Sequence, residues 1–140
     1  MKKTDFSTYT LALFKSKELI YSTERSGLRP ILEAISMYID KEKDLVLHDK
    51  VTGLASAKAI AYSGIIKEIY SLACSRDAKE HLEKTSIRVE AEEIVDNILT
   101  KDRSDTCPME KKALREKKDD EEFTKELFDI FKIELQLRKR

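Results

Sequence analysis

Polar side chains that could bind a ligand follow two apolar runs in the middle of the chain, at residues 45–47 and 69–73. A lysine among them would attract a phosphate or a carboxylate, and a glycine beside a helix start would let an anion approach the free backbone N–H groups. The six candidate ligand-binding residues are Asp49, Lys50, Gly53, Cys74, Ser75 and Asp77. Together they predict a site that favours an anionic ligand.

Several of these residues also have an interpretation that involves no ligand. Gly53 could simply close a turn, and Lys50 could be a solvated surface lysine. Cys74 is a candidate nucleophile if a helix N-terminus lowers its pKa, but a buried cysteine is commonly just a small apolar residue. Asp49 and Asp77 could act as acid–base groups. No catalytic residue is assigned, so the sequence leaves open whether the chain is an enzyme.

Two further pairs of residues carry weaker signals. Arg25 and Arg29 lie on either side of Gly27 and could bind an anion, or could pair with nearby acidic residues. His48 ends an apolar run and could approach a cysteine, whereas His81 follows too far along a predicted helix to share one ion with it. We interpret both histidines as ordinary surface or boundary residues and predict no metal site.

Hydrophobic periodicity predicts strands that alternate with helices. The predicted strands cover residues 10–14, 18–22, 45–47, 69–73 and 87–89. One predicted helix begins at Pro30, and a second follows Gly53 and ends at Gly64. Two more are predicted at residues 77–84 and 91–99.

The alternation from residue 45 onward predicts parallel strands joined by right-handed crossovers, and the hairpin before them adds an antiparallel edge. The predicted fold class is therefore α/β, a three-layer α/β/α arrangement with a mixed sheet of about five strands. Ligands of such sheets bind beyond the carboxyl ends of the parallel strands. The six candidate residues would then lie along one crevice.

The last third of the chain has a different composition. Residues 101–106 predict a polar loop, and the Cys-Pro-Met-Glu motif at 107–110 is typical of a helix start. After a charged run, residues 123–137 carry apolar side chains near helical spacing. We therefore divide the chain into a domain at 1–115 and, at 116–140, a charged linker with an amphipathic helix. That helix could pack on its own domain, on a second copy of the chain or on another partner.

The composition excludes several classes of protein. The 140 residues have a formal net charge of zero, with 41% hydrophobic and 39% charged residues. This balance predicts a globular domain and argues against nucleic acid or a membrane as the partner. The apolar runs are too short to span a membrane, no signal peptide is apparent, and two cysteines form no disulfide framework. We expect a cytoplasmic protein.

Three motifs in order resemble those of a small prokaryotic family of uncharacterised proteins with a cytidine-deaminase-like fold. They are ERSGLRP at residues 24–30, DKVTGLASA at 49–57 and CPME at 107–110. The resemblance covers roughly residues 8–115, and the segment from Glu116 onward lies outside its pattern. It implies a deaminase-like fold and leaves the function undefined.

Comparison with the zinc deaminases implies that the zinc chemistry is missing. Those enzymes need a His or Cys ligand and a catalytic glutamate at one helix start, and Pro-Cys-x-x-Cys at the next. At the matching positions this chain has Ala55 in place of the ligand and Ala57 in place of the glutamate. Cys74 is retained, but Asp77 replaces the second cysteine. The resemblance therefore implies no zinc, no other cofactor and no zinc-dependent deaminase activity.

The sequence hypothesis is thus a deaminase-like domain that binds a nucleotide- or nucleoside-type ligand at the carboxyl ends of its parallel strands. The alternative is a structural or interaction protein that acts through self-association or through the C-terminal helix. A homo-oligomer is compatible with either hypothesis.

Overall fold

A computed structural model describes residues 6–98 and 107–134. The five strands are β1 (Leu11–Lys15), β2 (Glu18–Thr23), β3 (Leu45–Thr52), β4 (Ile66–Ser75) and β5 (Arg88–Val95). The five helices are α1 (Arg29–Tyr38), α2 (Leu54–Ser63), α3 (Arg76–Lys84), α4 (Pro108–Arg115) and α5 (Asp120–Phe131). None of the described helices is long and apolar enough to cross a membrane.

The strands form one mixed sheet in the order β2-β1-β3-β4-β5. β1 and β2 form the predicted antiparallel hairpin, and the two residues that connect them, Ser16 and Lys17, both have positive φ, as tight hairpin turns require. β1 also pairs antiparallel with β3, whereas β3, β4 and β5 are parallel. The carboxyl ends of the parallel strands therefore meet at one edge of the sheet.

One face of the sheet forms the main core. The register places Leu13, Leu47 and Ile69 side by side on adjacent strands, and each is at most 1% exposed. α2 contacts α1 on one side and α3 on the other, and α4 and α5 also pack on α2. On the opposite face the His48 ring lies between Phe14 and Tyr70, with ring centroids 4.8 and 5.4 Å away.

The predicted fold class matches the structure, which has one mixed five-stranded sheet and five helices in a three-layer α/β/α class. The apolar run at 45–47 is the first part of β3, and the run at 69–73 lies within β4, so both strands are longer than predicted. The ends of these strands are polar because they reach the edge where the candidate site lies. The hydrophobic pattern of the sequence therefore located both strands, but the predicted strands were too short.

The helix predicted at residues 91–99 is wrong for the part that the structure describes. β5 continues to Val95, and Ala91 and Glu93 pair with Ser71 and Ala73 of β4. Ala and Glu favour helices, but pairing with an existing strand outweighs that weak local preference. Residue 99 and the polar loop predicted at 101–106 lie outside the described residues.

The C-terminal amphipathic segment forms α5 and is part of the same core. Its apolar stripe is enclosed, with Phe123 and Leu127 0% exposed and Phe128 3% exposed. Asp119 caps the helix, since its side chain accepts a hydrogen bond from Glu122 N at 2.8 Å. The helical interpretation is confirmed up to Phe131. The helix ends there, with Lys132 in the left-handed conformation, so the prediction is wrong for residues 132–134, and residues 135–137 lie outside the described residues.

Candidate functional site

The N-terminus of α2 holds a carboxylate that comes from α4. The backbone N–H groups of Leu54 and Ala55 donate hydrogen bonds to Glu110 Oε2 and Oε1, at 2.7 and 2.8 Å. Glu110 is 6% exposed, and burial raises the pKa of its carboxyl, although these two donors oppose the rise. An anion does sit at this helix start, as the sequence predicted for a ligand, but it is the protein's own side chain.

Gly53 makes room for this contact. A Cβ atom at Gly53 would lie 2.5 Å from Cδ of Glu110, far closer than any non-bonded contact allows. The φ of Gly53 is −108°, which any residue can adopt, so space rather than backbone freedom requires the glycine. Gly53 thus contacts Glu110 in the structure.

Cys74 and Ser75 are also enclosed by the protein. Cys74 is 0% exposed, and burial, together with the nearby charge of Asp49, raises its thiol pKa to about 11. Such a thiol is not an activated nucleophile. Ser75 is 2% exposed and caps α3, where its hydroxyl accepts a hydrogen bond from Ala78 N at 3.1 Å. Both residues therefore stabilise the fold at the end of β4.

Asp77 lies apart from the other predicted site residues. It lines a hollow of about 200 Å³ between α2 and α3, together with the side chains of Leu54, Lys58, Glu80, His81 and Lys84. The His81 ring is bonded to Asp120 at the start of α5, with 2.8 Å between Nε2 and Oδ1. The hollow is thus lined by charges of both signs.

Asp49 and Lys50 line a cavity at the carboxyl end of β3. The cavity has a volume of about 110 Å³, and its walls come from the start of β1, the loop before α1 and the end of β3. The lining residues are Thr10, Leu11, Arg25, Ser26, Gly27, Pro30, Asp49, Lys50 and Val51. Residues 24–30 and 49–57, two of the motifs that carry the family resemblance, therefore meet at this cavity.

A buried polar network connects Asp49, on the wall of this cavity, with Thr52 and Ser71. Asp49 is 7% exposed, and both Thr52 and Ser71 are 0% exposed. Thr52 Oγ1 lies 3.0 Å from Asp49 Oδ2 and 3.1 Å from Ser71 Oγ, and the Ser71 hydroxyl donates to Ala73 O at 2.9 Å. Burial raises the pKa of Asp49 to about 7, although hydrogen bonds from Thr52 and from the Val51 backbone oppose the rise.

Arg25 and Lys50 are the cationic residues on the cavity wall. The Arg25 guanidinium pairs with Glu33 of α1, and one of its two hydrogen bonds, from Nη1 to Oε1, measures 3.3 Å. Lys50 is exposed and takes part in no ion pair among residues 6–98 and 107–134. The cavity therefore combines one free cation, one paired cation and a buried carboxyl group.

A larger and more open cleft of about 920 Å³ lies at the opposite end of the sheet. It is lined by the β1–β2 turn and by the loops that precede β3 and β4, and it carries mixed charges, including the pair between Lys15 and Glu42 at 2.8 Å. None of the six predicted site residues lies there.

The positions that match the zinc-deaminase motifs are apolar and enclosed. Ala55 is 1% exposed and Ala57 is 0% exposed, and both belong to the main core. His48 lies among rings on the opposite face of the sheet from Cys74. Within residues 6–98 and 107–134, no group of three or more His, Cys, Asp or Glu side chains could hold a metal ion. The lack of a zinc site stays a prediction.

Sequence reasoning missed three residues that shape this region: Glu110, Thr52 and Ser71. Glu110 stood in a motif that marked a helix start, but nothing in the local sequence shows that its side chain reaches a helix 55 residues away in the chain. Thr52 and Ser71 are common polar residues. The β3–β4 register places Ser71 opposite Asp49, and Thr52 lies three residues further along the same strand as Asp49.

Comparisons with known proteins agree on one family. The profile of a domain of unknown function (DUF1893) matches residues 1–131 and so includes most of α5, beyond the limit at residue 115 implied by the sequence resemblance. A DUF1893 family protein (TM1506) from Thermotoga maritima has a similar structure, with a TM-score of 0.79 and 23% sequence identity, over 88% of this chain and 81% of that chain. At this identity the likeness shows the fold alone. No curated protein matches the chain significantly. Because the family profile covers more than half of it, the chain belongs to the DUF1893 family.

Proposed function

We propose that this chain is a ligand-binding domain that recognises a nucleotide- or nucleoside-type ligand at the carboxyl end of β3. The observation that carries the proposal is the cavity of about 110 Å³ that has Asp49 and Lys50 on its wall. It lies at the edge of the sheet where α/β proteins usually bind ligands. Two chain segments that are distant in sequence, residues 24–30 and 49–57, converge on it.

The size of the cavity limits what can enter. Pockets that enclose a whole drug-sized ligand have volumes of about 300–1,000 Å³. A cavity of about 110 Å³ holds only one group of such a molecule. The rest of the ligand would lie outside, over Lys50 and the half-exposed side chain of Val51. In this arrangement Gly53, Cys74 and Ser75 support the site from within the protein, whereas Asp77 lies in the separate hollow between α2 and α3.

Two further features belong to the proposal. We take the fold to be deaminase-like and the zinc chemistry to be lost, and the enclosed Ala55 and Ala57 support this interpretation. The alternative is an interaction protein that acts through self-association or through the C-terminal helix. The apolar stripe of that helix, which includes Phe123 and Leu127, packs inside the domain and leaves the helix less surface for a partner, which supports ligand binding. A cytoplasmic location and a homo-oligomer stay predictions.

The test measures binding of a panel of nucleosides and nucleoside monophosphates to the full chain by calorimetry. Lys50→Ala should weaken the binding of the best nucleotide about tenfold, because it removes the free cation on the cavity wall. Lys67→Ala is the matched control, since Lys67 is an exposed lysine of β4 that lines the open cleft at the other end of the sheet. The Lys67→Ala variant should bind the nucleotide as tightly as the wild type does.

Two results would refute the proposal. One is that no member of the panel binds. The other is that Lys67→Ala weakens binding while Lys50→Ala does not, which would place the ligand in the open cleft.

A further inference from the structure

The hydrogen-bond network around Asp49 has more oxygen–oxygen contacts than its hydroxyl groups have hydrogens. Three short oxygen–oxygen contacts form a chain from Asp49 to Thr52, from Thr52 to Ser71 and from Ser71 to the carbonyl of Ala73, at 3.0, 3.1 and 2.9 Å. Each contact needs one hydrogen between its oxygens, but the two hydroxyl groups supply only two, and a carbonyl supplies none. With Asp49 ionised, one contact would lack a hydrogen.

A protonated Asp49 completes this chain. Its carboxyl O–H would donate to Thr52, the Thr52 hydroxyl to Ser71, and the Ser71 hydroxyl to Ala73 O. The two contacts of Thr52 are buried and the contact of Ser71 with Ala73 O is partly buried, so an oxygen pair without a hydrogen would cost free energy. The geometry of the network thus favours the neutral acid without reference to any titration.

Asp49 forms no ion pair with any residue that the structure describes. The thiol of Cys74 lies nearby, is enclosed and is kept neutral by burial, so it adds no charge beside Asp49. The charged groups at this end of the sheet are Lys50 of β3, Arg25 with its partner Glu33, and, around Cys74, Glu110 of α4 with Lys79 and Glu83 of α3.

We infer that the network holds Asp49 as a neutral acid, so that the cavity above it accepts an anionic group, a phosphate or a carboxylate, and releases that group when Asp49 loses its proton. The inference rests on the proposed function because it concerns the same cavity. With Asp49 neutral, the charges on the wall are those of Lys50 and Arg25, and they attract an anion. Ionised Asp49 would place a negative charge beneath it and would also break the hydrogen-bond chain.

The first measurement concerns Asp49 alone and needs no ligand. The carboxyl carbon resonance of Asp49 in the full chain should titrate near neutral pH, in agreement with the raised pKa of about 7. If the Asp49 resonance titrates near pH 4 instead, as the carboxyl group of a free aspartate does, the inference is wrong.

The second measurement uses sulfate, whose charge does not change between pH 6 and 8. Sulfate should bind about tenfold more weakly at about pH 8 than at about pH 6. Asp49→Asn keeps a hydrogen donor for Thr52 but cannot ionise, so its affinity for sulfate should be the same at both pH values. Lys50→Ala should bind sulfate weakly at both. Equal affinity of the wild type at the two pH values would overturn the inference.

The two proposals can fail separately. If sulfate binds with the expected pH dependence and no nucleoside or nucleotide binds, the nucleotide-type function is wrong and the anion site stands. If an uncharged nucleoside binds at the cavity and sulfate does not, the ligand-binding function stands and the inference about an anionic group is wrong.

Discussion

Replacement of Glu110 by alanine should lower the free energy of unfolding by about 3 kcal/mol, because two buried, charge-assisted hydrogen bonds are lost. The N–H groups of Leu54 and Ala55 would then have no partner in an enclosed part of the domain. The link between α4 and the start of α2 would also be weakened, although Lys58 would still donate to Ala113 O at 3.0 Å. Urea unfolding followed by circular dichroism measures the change.

Two variants control this prediction. Glu110→Gln should lower the free energy of unfolding by about half as much as Glu110→Ala. The amide keeps one acceptor oxygen but turns an NH₂ group toward the second backbone donor. Glu121→Ala removes an exposed acidic residue paired only along α5 with Lys125, and we expect a change within about 0.5 kcal/mol. A loss from Glu110→Ala no larger than that from Glu121→Ala would show that the carboxylate does not cap α2.

The second large effect is a pH-dependent difference in the free energy of unfolding between the wild type and Asp49→Asn. Burial raises the pKa of Asp49 to about 7 in the folded protein, compared with 3.8 in the unfolded chain. The folded state therefore holds this proton more tightly, and the resulting stability is complete below about pH 4 and is lost as the pH rises to about 7. A difference of about 3 pKa units corresponds to about 4 kcal/mol.

The asparagine variant has no proton to lose at this position. From about pH 4 to about pH 8, its stability relative to the wild type should rise by about 4 kcal/mol. Glu110 and the other titrating groups are present in both proteins, so their contributions cancel in the comparison. If the stability of Asp49→Asn instead follows that of the wild type at every pH, Asp49 is an ordinary ionised aspartate.

The fold could largely be predicted from the sequence, because its main elements follow strong local signals. Gly64 ends α2 in the left-handed conformation expected of a C-terminal glycine, and Pro30 and Pro108 lie in the first turns of α1 and α4. The helix prediction for residues 91–95 is wrong because their helical preference is weak and pairing with the neighbouring strand β4 outweighs it. Such a contact depends on the assembled sheet and is not visible in a local window of sequence.

The site could be predicted only in part. Its position at the strand ends follows from topology, and Asp49 and Lys50 indeed line a cavity there. The sequence did not show that Glu110 would fill the helix start beside Gly53, or that Cys74 and Ser75 would be enclosed. These facts depend on how α4 packs on α2 and on the twist of the sheet, which long-range contacts determine. The hydrogen-bond network of Asp49, Thr52 and Ser71 likewise depends on the pairing of β3 with β4.

The central claim is that a ligand binds at the carboxyl end of β3, and backbone amide chemical shifts test it most directly. On titration with a nucleoside monophosphate, the largest shifts should fall on the residues that form the cavity wall, at 25–27 and 49–51. Shifts concentrated at residues 40–44 and 62–67, around the open cleft, would contradict the account, as would the absence of any shift at saturating nucleotide.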